Sequence, residues 1–145
     1  MTIVDDLISE GCQATLIGSR AICDPVPTSS DEDYLIYHKP TLSIDDVLKK
    51  HGLDIAAPTD YGNLSKGDFR SFRSGNINLI ITTKTTFETK FLLAVHVCRS
   101  LNLLSKSDRI LVHQAILYGN KYEKKKLAKV SPANIWQLII DAATQ

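Results

Sequence analysis

Apolar residues along this chain recur with two different periods, and the change of period divides it into halves. Ile3, Val4, Leu7 and Ile8 fall three and four apart, the spacing of one helix face, and Gly11 closes a helix over 2–11. Ala14–Ile17 is a strand-length apolar run that stops at Gly18-Ser19-Arg20. Asp24-Pro25-Val26-Pro27 predicts a loop, because proline breaks a helix interior and cannot donate to a sheet ladder. Asp31–Tyr37 reads as a second strand. Ser43 and Asp46 have the spacing of a capping box, with Ile44, Val47 and Leu48 as the buried stripe of a short helix ending near His51-Gly52. Residues 53–67, with Pro58, Gly62 and Gly67, read as loop. Residues 68–83 read as a hairpin turning at Ser74-Gly75-Asn76. In its second strand Asn76, Asn78 and Ile80 share one face, and Ile77, Leu79 and Ile81 the other.

From residue 85 the period is helical. Thr85 and Glu88 suit a capping box, and Phe87, Phe91, Leu92, Val95, Cys98 and Leu101 make a core-facing stripe with His96 off it. Ser105 or Ser107 caps the next helix, in which Ile110, Leu111, Ala115, Ile116 and Leu117 recur before Gly119; His113 lies off or at the edge of that stripe. Residues 121–129, KYEKKKLAK, carry five lysines around Tyr122: a solvated connector, or a segment that touches a nucleic-acid backbone while the tyrosine stacks on a base. Ser131-Pro132 starts a last, broadly apolar helix that closes the core or offers a partner surface. The fold class predicted is α/β (α+β): a small mixed β-sheet flanked by helices, with a helical C-terminal half.

The chemistry concentrates at the ends of the first two strands. Asp31 and Asp33 are two apart and point the same way, with Glu32 on the other face. Two carboxylates aimed at one spot repel unless a cation lies between them, and Mg²⁺ (or Mn²⁺) with its preference for oxygen is the usual choice. Gly18 allows close backbone approach to a ligand, and its neighbours offer N–H groups and a hydroxyl to a phosphate.

Gly-Ser, a short loop and Asp-x-Asp on the next strand resemble the nucleotidyltransferase superfamily, the fold of DNA polymerase beta and the small minimal nucleotidyltransferases. The resemblance covers roughly the first 80 residues. It implies that Gly18 and Ser19 hold a triphosphate and that Asp31 and Asp33 are metal ligands. Arg20 and Arg73 are candidates to meet the phosphates; Arg70 and Arg73 fall on opposite faces of their strand, so only one of the two can do so directly. The family's third carboxylate sits on a later strand, and the position that matches it is Asn78, an amide. Since a nucleotide brings its own phosphate oxygens to one ion, nucleotide binding is expected to survive this change better than catalysis. The other reading is that Asn78 only hydrogen-bonds Asp33 or the sheet.

Two functions follow from the resemblance. One is Mg²⁺-dependent transfer of a nucleotide from an NTP to a hydroxyl on RNA, a small molecule or a protein, with Asp31, Asp33 and Asn78 at the catalytic positions. The alternative is a catalytically degenerate member that binds a nucleotide or a protein partner; small proteins of this appearance also resemble bacteriophage-encoded nucleotidyltransferases, whose product would bind a host protein. A toxin–antitoxin component is a third possibility by fold analogy.

Composition adds boundaries. A length of 145 residues predicts a single domain, 1–145, and 43% hydrophobic with 23% charged residues is ordinary for a globular chain. A net charge of +1 gives no global attraction to nucleic acid or membrane. Cys12, Cys23 and Cys98 are odd in number and lack metal-ligand spacing, which predicts reduced thiols. The acidic start MTIVDDLISEG lacks the pattern of a signal peptide, and no apolar run reaches bilayer-spanning length, so a cytoplasmic protein is expected.

Overall fold

Thr2 opens the first helix, α1 (Ile3–Ser9), through a reciprocal cap: its hydroxyl accepts from the Asp5 N–H, and the Asp5 carboxylate accepts from the Thr2 N–H. The apolar side of α1, Ile3, Val4 and Leu7, is buried, as its spacing predicts, whereas Ile8 is half exposed. The computed structural model describes residues 2–26, 31–54 and 68–118. The lysine-rich stretch 121–129, the helix expected from Ser131 and most of the 53–67 loop lie outside the described residues.

Four strands follow: β1 (Gln13–Ile17), β2 (Glu32–Tyr37), β3 (Arg70–Ser74) and β4 (Ile77–Thr82). They form one mixed sheet in the order β1-β2-β4-β3, with β2 and β4 parallel and the other pairs antiparallel. The parallel pair needs a crossover, and α3 (Asp45–Lys50) lies within it. β3 and β4 meet through the two-residue turn Gly75-Asn76, in which Gly75 takes a φ of +61°, a region that disfavours a side chain.

These elements fall into two compact units. The first comprises described residues 2–18, 31–54 and 68–88, and so holds the whole sheet with α1 and α3. One sheet face supplies Ile36, Phe72, Leu79 and Ile81, which pack with Ile3, Val4 and Leu7 of α1 and with Ile44 and Leu48. Each such burial contributes about 1.5–3 kcal/mol of transfer free energy. Alternation turns Asp33, Asn78 and Arg73 to the opposite face.

The second unit holds described residues 19–26 and 89–118: α2 (Ser19–Ile22), the greater part of α4 (Thr85–Ser100), and α5 (Lys106–Tyr118). Its core is Ile22, Cys23, Ala94, Val97, Cys98, Leu103, Val112, Ala115 and Ile116.

Three local expectations are corrected. Ser43 does not cap α3: the cap position is Ile44, which makes no side-chain cap bond and is buried at 1% exposure, so its packing sets where the helix begins. Residues 19–22 form a helical turn where only a Gly-Ser turn and loop were expected, because Ile22 is drawn into the second core. On α4 the buried stripe runs through Phe87, Phe91, Ala94, Val97 and Cys98, with Leu92 and Val95 only partly buried, and on α5 Ile110 is exposed. Ala94, fully buried, stands in the core where Leu92 and Val95 were expected.

Candidate functional site

The register aligns one polar row across the sheet. Ile17 on β1 pairs with Asp33 on β2, Asp33 with Asn78 on β4, and Asn78 with Arg73 on β3. Paired positions on adjacent strands share a face, so Asp33, Asn78 and Arg73 stand side by side. Asp31, two residues before Asp33, joins them through Arg73.

The contacts make one continuous polar chain, Asp33–Asn78–Arg73–Asp31. Asn78 Nδ2 donates to Asp33 Oδ1 at 2.8 Å. Arg73 Nη1 donates to Asn78 Oδ1 at 3.5 Å, and Arg73 Nη2 pairs with Asp31 Oδ2 at 3.0 Å. Arg73 Nε donates to the Gly75 carbonyl at 3.0 Å, which steadies the side chain at its stem. This fixes the sense of the Asn78 amide: turned over, its oxygen would face a carboxylate and its NH₂ a guanidinium.

Gly18 bounds the row on the β1 side. Its φ is +71°, and a Cβ there would collide with the Asp33 carboxylate, coming 2.9 Å from the carboxyl carbon. Its lack of a side chain is therefore what lets Asp33 take this position. Ser19 and Arg20, the remaining candidates for phosphate contact, are the first two residues of α2 and belong to the second unit. Arg70 points elsewhere: its guanidinium meets Asp45 at 3.4 Å and lies over the Phe72 ring.

The sequence reading took Arg73 as a phosphate ligand and missed its pairing with Asp31. The sequence reading put Ser74 in the turn; the turn is Gly75-Asn76, so Ser74 pairs with Ile77 and Arg73 stands opposite Asn78. The step to Asp31 requires the parallel register of β2 on β4, which no local pattern carries.

The resemblance would give Asp31 and Asp33 to a single hard cation. Mg²⁺ is commonly held by one or two carboxylates together with substrate phosphates, which Asp31 and Asp33 match. A pair of ions needs further anionic oxygens, and Asn78 turns its NH₂ towards Asp33 instead. Among the described residues no group of three His, Cys, Asp or Glu is placed to hold a metal.

A second cluster, inside the second unit, is chemically quiet. Burial pushes the Cys98 thiol up to about 12, so its reactive thiolate is scarce at neutral pH. His113 Nδ1 lies 3.8 Å from that sulfur but donates its proton to the Arg109 carbonyl at 2.8 Å, so this nitrogen cannot take the thiol proton. Burial also holds His113 below the usual imidazole range. This is the opposite of an activated Cys/His pair.

No protein-family model matches the chain, and no curated protein matches it. Among solved structures, the crystal structure of the conserved protein GrpB from Enterococcus faecalis superposes with a TM-score of 0.51, over 97% of this chain and 86% of GrpB, at 17% identity. The fold is shared with that structure. It is also the mixed α+β architecture that the residue pattern predicts, a four-stranded sheet flanked by helices. No described helix is long and apolar enough to cross a membrane.

Proposed function

We propose that this chain binds a nucleoside triphosphate with one Mg²⁺ on the polar face of its sheet, and that efficient nucleotidyl transfer is lost. The observation that carries this reading is the Asn78 amide, donating to Asp33 at 2.8 Å where the resemblance expects a third acid. A carboxylate there would help activate the attacking hydroxyl, and a neutral amide neither takes a proton nor supplies a charged ligand.

The remaining groups have roles that do not need turnover. Asp31 and Asp33 would hold the ion, whose charge offsets that of the phosphates. Arg73 has the planar donor set that suits a phosphate. Gly18 gives the Asp33 carboxylate the space that a side chain would take. A protein or RNA partner would be recruited to the nucleotide-bound form, and a host protein would be such a partner if the chain is phage-encoded.

Calorimetric titration with each of the four NTPs, with Mg²⁺ present and then chelated, tests the reading. Metal-dependent binding that disappears in the Asp31→Ala/Asp33→Ala double variant is the expected result. Binding unaffected by that double variant would end the assignment.

A further inference from the structure

Arg73 brings a full positive charge to the carboxylates. Its guanidinium is 3.0 Å from Asp31, is shared with the Asn78 oxygen, and is tethered by Nε to the Gly75 carbonyl. It therefore stands where charge balance at the aspartates calls for a cation. The pair is open to water, with 55% of the Arg73 side chain and 37% of the Asp31 side chain exposed. Exposed pairs of this kind favour association by no more than about fivefold, so the contact is easily exchanged.

Resting on the nucleotide reading above, we infer that Arg73 is an exchangeable counter-ion that couples cation and triphosphate binding. In the free protein it neutralises Asp31 and opposes entry of a divalent cation. A triphosphate offers the guanidinium a better partner, because phosphate oxygens accept two parallel N–H bonds from the fork and carry more charge than one carboxylate. Arg73 turns from Asp31 to the phosphates about its tether at Gly75, and Asp31 becomes available to the ion. Cation and triphosphate then enter together, each raising the affinity for the other by the same factor, as linkage requires. A lysine would keep the charge and lose the fork.

The test compares wild type, Arg73→Gln and Arg73→Lys. Mn²⁺ alone is titrated by the electron paramagnetic resonance signal of the free ion. Inorganic tripolyphosphate is titrated by calorimetry with and without Mn²⁺, so that no choice of base enters. In Arg73→Gln, Mn²⁺ alone should bind about two- to fivefold tighter, and tripolyphosphate in the presence of Mn²⁺ about tenfold weaker. Arg73→Lys should keep weak Mn²⁺ binding and lose part of the tripolyphosphate affinity. An arginine that merely supported the fold would lower both affinities together when replaced by glutamine. Unchanged or weaker Mn²⁺ binding in Arg73→Gln, while wild type binds Mn²⁺ with tripolyphosphate, overturns the exchange and leaves the site reading standing. Absence of any Mn²⁺–tripolyphosphate binding by wild type removes the site reading, and this inference with it.

Discussion

Replacing Gly18 by alanine should damage the fold through Asp33, and the size of the effect can be worked out beforehand. At a φ of +71° an alanine pays the left-handed backbone penalty, about 1–2 kcal/mol. Its Cβ also meets Asp33, whose own Cβ is 3.0 Å away, so rotating the carboxylate aside does not fully clear the contact. The bond from Asn78 to Asp33 is then lost, and hydrogen bonds to charged groups contribute about 1.5–3 kcal/mol. Together these predict about 3–5 kcal/mol of destabilisation. Gly75 supplies the reference: its φ is +61°, but nothing lies within 4 Å of a Cβ there, so Gly75→Ala should cost only the backbone part, about 1–2 kcal/mol. Equilibrium urea unfolding followed by far-ultraviolet circular dichroism measures both, read from the transition that Gly75→Ala also shifts. In an Asp33→Ala background, which removes the carboxylate and keeps the Cβ, the Gly18→Ala cost should fall towards that of Gly75→Ala, a coupling of about 2 kcal/mol in the double-mutant cycle. Equal costs for the two glycine variants in the wild-type background would refute the collision.

Two further outcomes are expected. Asn78→Asp puts three carboxylates on one face and removes the donor to Asp33, so it should lower the melting temperature in chelator and regain it with Mg²⁺ or Mn²⁺, while pyrophosphate release from an NTP and a hydroxyl acceptor rises above wild type; a melting temperature insensitive to metal would count against the site. Asp6 accepts from His51 Nε2 at 2.6 Å, a bond that together with Lys50 holds its carboxyl below the ordinary 3.8. A depressed carboxylate stabilises above the unfolded value and loses that contribution as pH falls through the folded one, so the stability advantage of wild type over Asp6→Asn should fade as pH drops below about 4 in thermal melts.

Legibility tracked the length and locality of each pattern. The β3–β4 hairpin was readable because strict alternation is local, though Ser74 belongs to β3 and not to the turn, and the placement of Leu79 and Ile81 against Asn78 follows from a period of two. The Gly18, Asp31 and Asp33 positions were readable as candidates from spacing alone. What they do to one another was not. Gly18 was read as making room for a ligand, and the structure shows it making room for the Asp33 side chain. Helix α2 escaped notice because four residues do not complete a period. The rotation of the α4 stripe was hidden because Ala94 scores as a helix former and gives no sign of being fully buried. The Asp6–His51 bond joins residues 45 apart and has no signature in either helix.

The parallel pairing of β2 with β4 gives the polar row an influence on folding as well as on ligands. Both strands present interchangeable apolar residues, so hydrophobicity alone would tolerate several alignments. A shift of β4 by one residue would turn Asn78 into the face lined by Ile36 and Leu48 and set an apolar side chain beside Asp33. Burying the amide without a partner there would cost more than any gain in apolar contact. Asp33 and Asn78 thus work as a key between two otherwise permissive strands. A polar residue at position 78 therefore has a physical reason to stand there whether or not the site binds a ligand.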